Sequence, residues 1–87
     1  MSLERAIALG KQAEIFLSSE LGRHIEELAR LEVEEASDKL AEVDPYDVKE
    51  IMRLQNVIAR HISFKQWLYS LVAESDAAYQ EYLDAEE

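Results

Sequence analysis

The chain contains a single proline, Pro45, and only 2 glycines among its 87 residues. These residue types supply most of the tight turns in β-rich proteins, so their scarcity favours long helices joined by few connections. Pro45 lies near the middle of the chain, between Asp44 and Tyr46. Asp44 is a favourable N-cap, Pro45 suits the first position of a helix, and proline disfavours α geometry in the residue before it. The sequence therefore predicts that one helix ends near Val43 and that another begins at Pro45.

Apolar residues recur at helical spacing before the proline. They are Ile25, Ala29, Val33, Ala36, Leu40 and Val43, and glutamates occupy much of the opposite face. This pattern predicts an amphipathic helix over residues 20–43. An earlier apolar series predicts a helix over residues 3–17, and Ser18-Ser19 followed by Glu20 is typical of a new helix start. Two helices are favoured, although one unbroken helix up to Val43 is an open alternative.

The apolar period continues after the proline. Val48, Ile51, Leu54, Ile58, Ile62, Leu68 and Val72 predict a helix over residues 45–72. Ser75-Asp76 is typical of an N-cap, so a last short helix is predicted over residues 75–84. The acidic residues that follow are expected to fray.

Helices of similar length joined by a short connection favour antiparallel neighbours. We therefore predict an all-α fold with one helical domain over residues 1–87. Its centre is an antiparallel helical hairpin, flanked by a short first helix and a short last helix. Domains of this size have thin cores, so we expect the chain to assemble into an oligomeric bundle with coiled-coil-like packing.

The apolar arc on the helix after Pro45 widens towards its C-terminal half, beyond what one hairpin partner covers. The first and last helices are one possible cover, and a second copy or another protein is the other. The residues expected to form a protein interface are Ile51, Leu54, Ile58, Phe64, Trp67, Leu68 and Leu71. The predicted partner is a protein, either another molecule or the chain itself as a homo-oligomer.

The formal net charge is −10, but it is unevenly distributed. Residues 51–72 contain no acid and carry +3, between two acidic segments. Lys49, Arg53 and Arg60 form a basic stripe that could contact phosphates, with Phe64 or Trp67 stacking on bases. The alternative is that these cations pair with Glu34, Glu35 or Asp38 across the hairpin. So few cations on so acidic a chain disfavour nucleic acid as a partner.

No pattern in the sequence indicates a catalytic, cofactor or metal site. The chain has no Cys, which removes thiol chemistry and Cys-ligated metals. His24 and His61 are not preceded by Glu at the spacing that di-iron bundles use. There is no phosphate-binding glycine loop or nucleophile elbow. We therefore expect a protein that is not an enzyme and that has no small-molecule substrate.

No stretch of the sequence approaches 18 uncharged apolar residues, and no signal peptide is visible. We therefore expect no membrane partner and a soluble, cytoplasmic protein.

The chain contains three short motifs of interest, Val43-Asp44-Pro45-Tyr46-Asp47, Leu54-Gln55-Asn56-Val57-Ile58 and Phe64-Lys65-Gln66-Trp67-Leu68. They resemble motifs of small helical proteins of unknown function from tailed bacteriophages. The segment from Leu21 to Ala36 is similar to the same pattern, so the resemblance extends over residues 15–80. The resemblance implies a viral context, in the virion or in the cytoplasm of the host cell, and no activity.

The favoured function is that of a non-enzymatic interaction protein, a small phage-encoded structural or accessory subunit that acts through helix–helix association. A first alternative is an acidic inhibitor that mimics nucleic acid and blocks a host nucleic-acid-binding protein. A second alternative is an accessory factor for DNA packaging. The sequence leaves the partner and the oligomeric state open.

Overall fold

The computed structural model describes residues 2–86, and these residues form three α-helices and no strands. Helix α1 is Leu3–Ser18, α2 is Glu20–Glu42 and α3 is Val48–Glu86. The all-α prediction is confirmed. No helix in this part of the chain has an apolar stretch long enough to cross a membrane.

Ser19 separates α1 from α2, so the prediction of two helices in the first half of the chain is confirmed. Its backbone is extended, with φ −73° and ψ 158°. Its hydroxyl accepts a hydrogen bond from the Gly22 amide at 2.9 Å and donates one to the Phe16 carbonyl at 2.7 Å. A Cβ at residue 22 would overlap that carbonyl. The sharp junction therefore requires glycine at position 22.

The connection after α2 is a tight turn rather than the start of a helix, so the prediction that α3 begins at Pro45 was wrong. The amide of Asp47 donates to the Asp44 carbonyl at 2.9 Å, which places Pro45 at the second turn position that proline favours. The Asp44 carboxylate accepts from the Tyr46 amide instead of capping a helix. Asp47 takes that role, because its carboxylate accepts from the Glu50 amide at 3.2 Å.

Helix α3 runs without interruption through 39 residues, from Val48 to Glu86. The prediction of a separate helix over residues 75–84 was therefore wrong. Ser75 is buried inside α3, and its hydroxyl donates to the Ile7 carbonyl of α1 at 3.2 Å. The serine occupies a contact between two helices, and it does not begin a new one.

Both shorter helices pack antiparallel to α3. The short turn folds α2 back on the first half of α3, where Glu32 bonds His61. Helix α1 covers the second half, since Ile7 contacts Ser75 and Gly10 lies beside Leu71. The residues that are almost fully buried are few and mostly small: Gly10, Ala13, Gly22, Ala36, Leu54, Ser75 and Ala78.

The molecule is a thin rod with extents of 61 × 27 × 15 Å. Its radius of gyration is 18.0 Å, whereas a compact domain of this length has about 12 Å. Its accessible surface is 6734 Å², against about 5,200 Å² for a compact monomer of this mass. The surplus of roughly 1,500 Å² means that much apolar side-chain surface stays in contact with water.

Candidate protein-interaction surface

An apolar groove runs between α2 and the middle of α3. It is lined by Ile25, Glu26, Ala29, Arg30 and Val33 on α2 and by His61, Ile62, Phe64, Lys65 and Leu68 on α3. Ala29, a small residue, is one of the lining residues on α2, opposite the larger side chains of α3. The apolar atoms that line the groove lack partner atoms on its open side.

The two cationic side chains that line the groove, Arg30 and Lys65, contact residues of their own helices. The Arg30 guanidinium bonds Glu27 at 2.7 Å and Glu34 at 2.8 Å. The Lys65 ammonium lies 5.8 Å from the centre of the Tyr69 ring, within the range of a cation–π contact. The rim is thus polar and hydrated, while the floor is apolar, as in the rim and core of a protein interface.

A second apolar surface, here named the Trp67 flank, lies on the side of α3 next to the groove. It is lined by Arg53, Asn56, Val57, Ala59, Arg60, Ser63, Phe64 and Trp67. Trp67 is 67% exposed and Phe64 is 40% exposed. Phe64 lines both the groove and the flank. The two surfaces therefore form one continuous apolar area with an exposed aromatic pair at its centre.

The structure divides the seven residues predicted to form an interface into three sets. Leu54 is only 2% exposed and belongs to the core between α2 and α3. The four residues Ile51, Ile58, Leu68 and Leu71 are half-buried under the shorter helices. Only Phe64 and Trp67 are freely exposed. The predicted seam is thus mostly internal to the chain, because α1 and α2 together cover most of the length of α3.

The predicted basic stripe makes none of the ion pairs across the hairpin that were the alternative to phosphate contact, within the described residues 2–86. Arg53 bonds Glu50 on its own helix at 2.6 Å. Lys49 and Arg60 are exposed, and no carboxylate among residues 2–86 pairs with them. Both Arg53 and Arg60 line the Trp67 flank, so these two cations border exposed aromatic surface.

Three glutamates on the surface of the helices, of which Glu50 is half-buried, are held in their charged form by neighbouring cations. A hydrogen bond from Arg30 lowers the pKa of Glu27, one from Lys39 lowers the pKa of Glu35, and one from Arg53 lowers the pKa of Glu50. A carboxyl group that serves as a general acid at neutral pH needs the opposite shift. These three glutamates therefore act as structural ion-pair partners along the helices.

The two histidines have different surroundings. His61 contacts the Glu32 carboxylate across the groove between α2 and α3. His24 is exposed on α2. Within residues 2–86, no three His, Asp or Glu side chains are placed to share a metal ion. The described part of the chain thus presents an exposed apolar and aromatic surface, and it offers no cluster of metal ligands.

The sequence did not indicate that α2 contributes to the exposed surface. Ile25, Ala29 and Val33 belong to the predicted inner face of α2, and nothing in their spacing distinguishes groove-lining from buried residues. Side-chain size does not supply the signal either, since Ala36 in the same series is equally small and is buried. Comparison of the chain with protein-family models, curated proteins and solved structures found no significant match.

Proposed function

We propose that this protein is a non-enzymatic interaction subunit that acts by helix–helix association through the groove and the Trp67 flank. The observation that carries the proposal is the exposed pair Phe64 and Trp67, placed where groove and flank meet. Large exposed apolar patches on small proteins mark interaction sites. Aromatic side chains surrounded by arginine are the composition that interface cores favour.

The large exposed area of Trp67 supports a specific role for this residue in association. A tryptophan buries about 150–250 Å² when it is covered, and two-thirds of this one is in water. At roughly 25 cal/mol per Å², covering the exposed part would contribute at most about 3 kcal/mol to association, before the entropic costs of binding. That magnitude matches the residues that dominate measured protein interfaces.

In our proposal the subunit is a structural or accessory component encoded by a tailed bacteriophage, present in the virion or in the cytoplasm of the infected cell. The resemblance over residues 15–80 supplies this context. The rod-like shape supports a subunit role, because an elongated chain of this size gains a sizeable core only by packing against another polypeptide.

The observed charges support the two other candidate functions less than the aromatic pair supports this one. A nucleic-acid mimic would use the carboxylates, of which Glu27 and Glu34 are engaged by Arg30 and Glu35 by Lys39. A DNA-packaging factor would use the cations, which are few on a chain with a net charge of −10, and one of them, Arg53, is engaged by Glu50. The exposed aromatic pair has no role in a mimic of nucleic acid.

A photo-crosslinking experiment tests the proposal in the cells in which the protein acts. Phe64 is replaced by p-benzoylphenylalanine, which places a reactive ketone on the shared rim of the groove and the flank. The matched control carries the same residue at Tyr46, which is 91% exposed on the turn away from this surface. Adducts are isolated after irradiation, and both members are identified by mass spectrometry.

The expected result is a discrete protein adduct, with a second copy or with another protein, at position 64 and not at position 46. Equal labelling at both positions, or no protein adduct at position 64, would contradict the proposal. Circular dichroism of both variants checks that the helices are retained.

A further inference from the structure

We propose that the partner of the Trp67 flank is a second copy of this chain, bound antiparallel along α3 with the two-fold axis at Trp67. This inference rests on the proposed function and names its partner. It follows from the order of charged residues along one exposed row of α3.

The row, here named the heptad row, consists of Arg53, Arg60, Trp67, Glu74 and Glu81, each seven residues from the next. Positions seven apart on an α-helix differ by about 20° in direction, so the row winds slowly along α3 and turns by about 80° between Arg53 and Glu81, about 40° to either side of Trp67. All five residues are exposed. At about 1.5 Å per residue the row extends for about 42 Å, along most of a molecule that is 61 Å long.

The charges in the heptad row have opposite signs on the two sides of Trp67. Two arginines precede the tryptophan and two glutamates follow it at the same distances. In a two-fold interface, each pair of contacting residues occurs twice with the roles of the chains exchanged. An axis at Trp67 therefore places Arg60 opposite Glu74 of the second copy, and Arg53 opposite Glu81. The two indoles meet at the axis.

The same row is incompatible with a parallel pair of helices in register. Each arginine would then face its own counterpart, and so would each glutamate. Like charges placed opposite each other destabilise a helix pair, and they suppress the wrong arrangement. The order of charges thus selects both the partner and its orientation.

The charged residues of the heptad row make few ion pairs within one chain. Arg60, Glu74 and Glu81 make no ion pair with any of residues 2–86. Arg53 bonds Glu50, but the arginine remains exposed, and exposed pairs of this kind are weak and exchangeable. The surface surplus of roughly 1,500 Å² exceeds the ~800 Å² per partner that a standard interface buries.

Disulfide trapping tests both the partner and its orientation. The chain has no cysteine, so single substitutions report on one position each. Arg53→Cys and Glu81→Cys chains are oxidised separately and as a mixture. The antiparallel dimer places residue 53 of one copy beside residue 81 of the other, while two copies of residue 53 lie about 42 Å apart, far beyond disulfide reach. In the mixed dimer the second Arg53–Glu81 pair is retained.

The expected result is a disulfide-linked dimer in the mixture and none in either chain alone. Self-linked Arg53→Cys or Glu81→Cys dimers would indicate a parallel arrangement and would overturn the proposal. No disulfide in any sample would also overturn it. If photo-crosslinking at position 64 then identifies a different protein, the proposed function stands and only the second copy is rejected.

Charge reversal provides a second readout that leaves Trp67 in place. The double variants Arg53→Glu/Arg60→Glu and Glu74→Arg/Glu81→Arg each make the row uniform in sign. We expect the dissociation constant of each variant dimer to rise about tenfold or more, as measured by sedimentation equilibrium. Mixing the two variants should restore dimerisation, because the rows then have opposite signs. Unchanged self-association of either variant would overturn the proposal.

Discussion

At the scale of single residues, the two glycines determine how closely the helices approach. Gly22 permits the sharp junction after Ser19, and Gly10 lets α1 approach the second half of α3. A Cβ at residue 10 would overlap the side chain of Ser75 and lie 2.8 Å from the Leu71 carbonyl. Glycine within a helix costs up to about 1 kcal/mol relative to alanine. The close packing of α1 against α3 at Gly10 offsets this cost.

Gly10→Ala is therefore expected to lower the free energy of unfolding, although alanine is the better helix former. Overpacking a close contact costs about 1–3 kcal/mol, which outweighs the gain in helix propensity. Urea unfolding followed by circular dichroism measures the change. In the double variant Gly10→Ala/Ser75→Gly the clashing side chain is absent, so the two effects should be less than additive. Full additivity would contradict the close approach.

The charged residues support the helices through local pairs. Glu27, Glu35 and Glu50 each accept a hydrogen bond from a cation that lowers the pKa of the carboxyl group. A lowered pKa in the folded state means that the pair stabilises the fold above the ordinary value of 4.5, and that this contribution is lost as the pH falls through the lowered pKa. These pairs therefore persist at neutral pH and break only in acid.

Carbon-detected NMR titration of the glutamate carboxyl groups tests this assignment. Glu27, Glu35 and Glu50 should titrate with midpoints below 4.5. Arg30→Ala should return the Glu27 midpoint to its ordinary range, because the cation that stabilises its charged form is gone. The Glu50 midpoint should stay low in the same variant, since Arg53 is retained. A Glu27 midpoint that does not respond would contradict the pairing.

At the scale of the elements, α3 is the axis of the molecule. It spans residues 48–86 without a break, and both α1 and α2 pack against it. An unbroken helix at Ser75 is needed for two features of α3. Ser75 itself packs against Gly10, and Glu74 and Glu81 on either side of it form the second half of the heptad row. A helix boundary there would turn Glu81 away from the side on which Trp67 lies.

Asp76→Pro distinguishes a continuous helix from a boundary at this point. Proline inside a helix removes a hydrogen bond and costs about 3 kcal/mol or more, whereas it is tolerated at the first position after a cap. We therefore expect Asp76→Pro to destabilise the protein by about that amount in urea unfolding. The matched control is Glu20→Pro at the first position of α2, behind the extended Ser19, where little change is expected. Similar stability of the two variants would contradict a continuous α3.

The helices were predictable from the sequence where the signal is local. Ser19 ends α1 and begins α2 through hydrogen bonds to residues within three positions, and the apolar period gave α2 within one residue. The boundary predicted at Ser75 was wrong because the same residue type that caps a helix can also fill a narrow contact between helices. Whether the serine caps a helix or packs between helices depends on Gly10, which is distant in the sequence, and not on the residues next to the serine.

The exposed surface was only partly predictable for a related reason. Periodicity indicated that α3 has more apolar surface than one helix can cover, and this surface includes Phe64 and Trp67. It did not indicate that Leu54 would be covered completely and Trp67 hardly at all. That difference depends on the paths of α1 and α2, which the turn after Glu42 and the junction at Ser19 determine.

At the scale of the whole molecule, the rod buries few side chains in relation to its large accessible surface. Among the large side chains of residues 2–86, only Leu54 is fully buried, and the radius of gyration is half as large again as that of a compact chain of equal length. An antiparallel pair of rods would cover the aromatic residues of both copies and would satisfy the exposed charges of the heptad row. In this arrangement the dimer, and not the single chain, is the unit that presents a surface to further partners.

The most direct measurement uses Trp67, which is the only tryptophan in the chain. Acrylamide quenching of its fluorescence is measured over a wide range of protein concentration, with the molar mass followed by sedimentation. If two copies cover each other along α3, the indole becomes protected as the mass rises from 10.0 kDa to twice that value. An indole that stays equally accessible at every concentration, in a species that remains at 10.0 kDa, would contradict self-association through this surface.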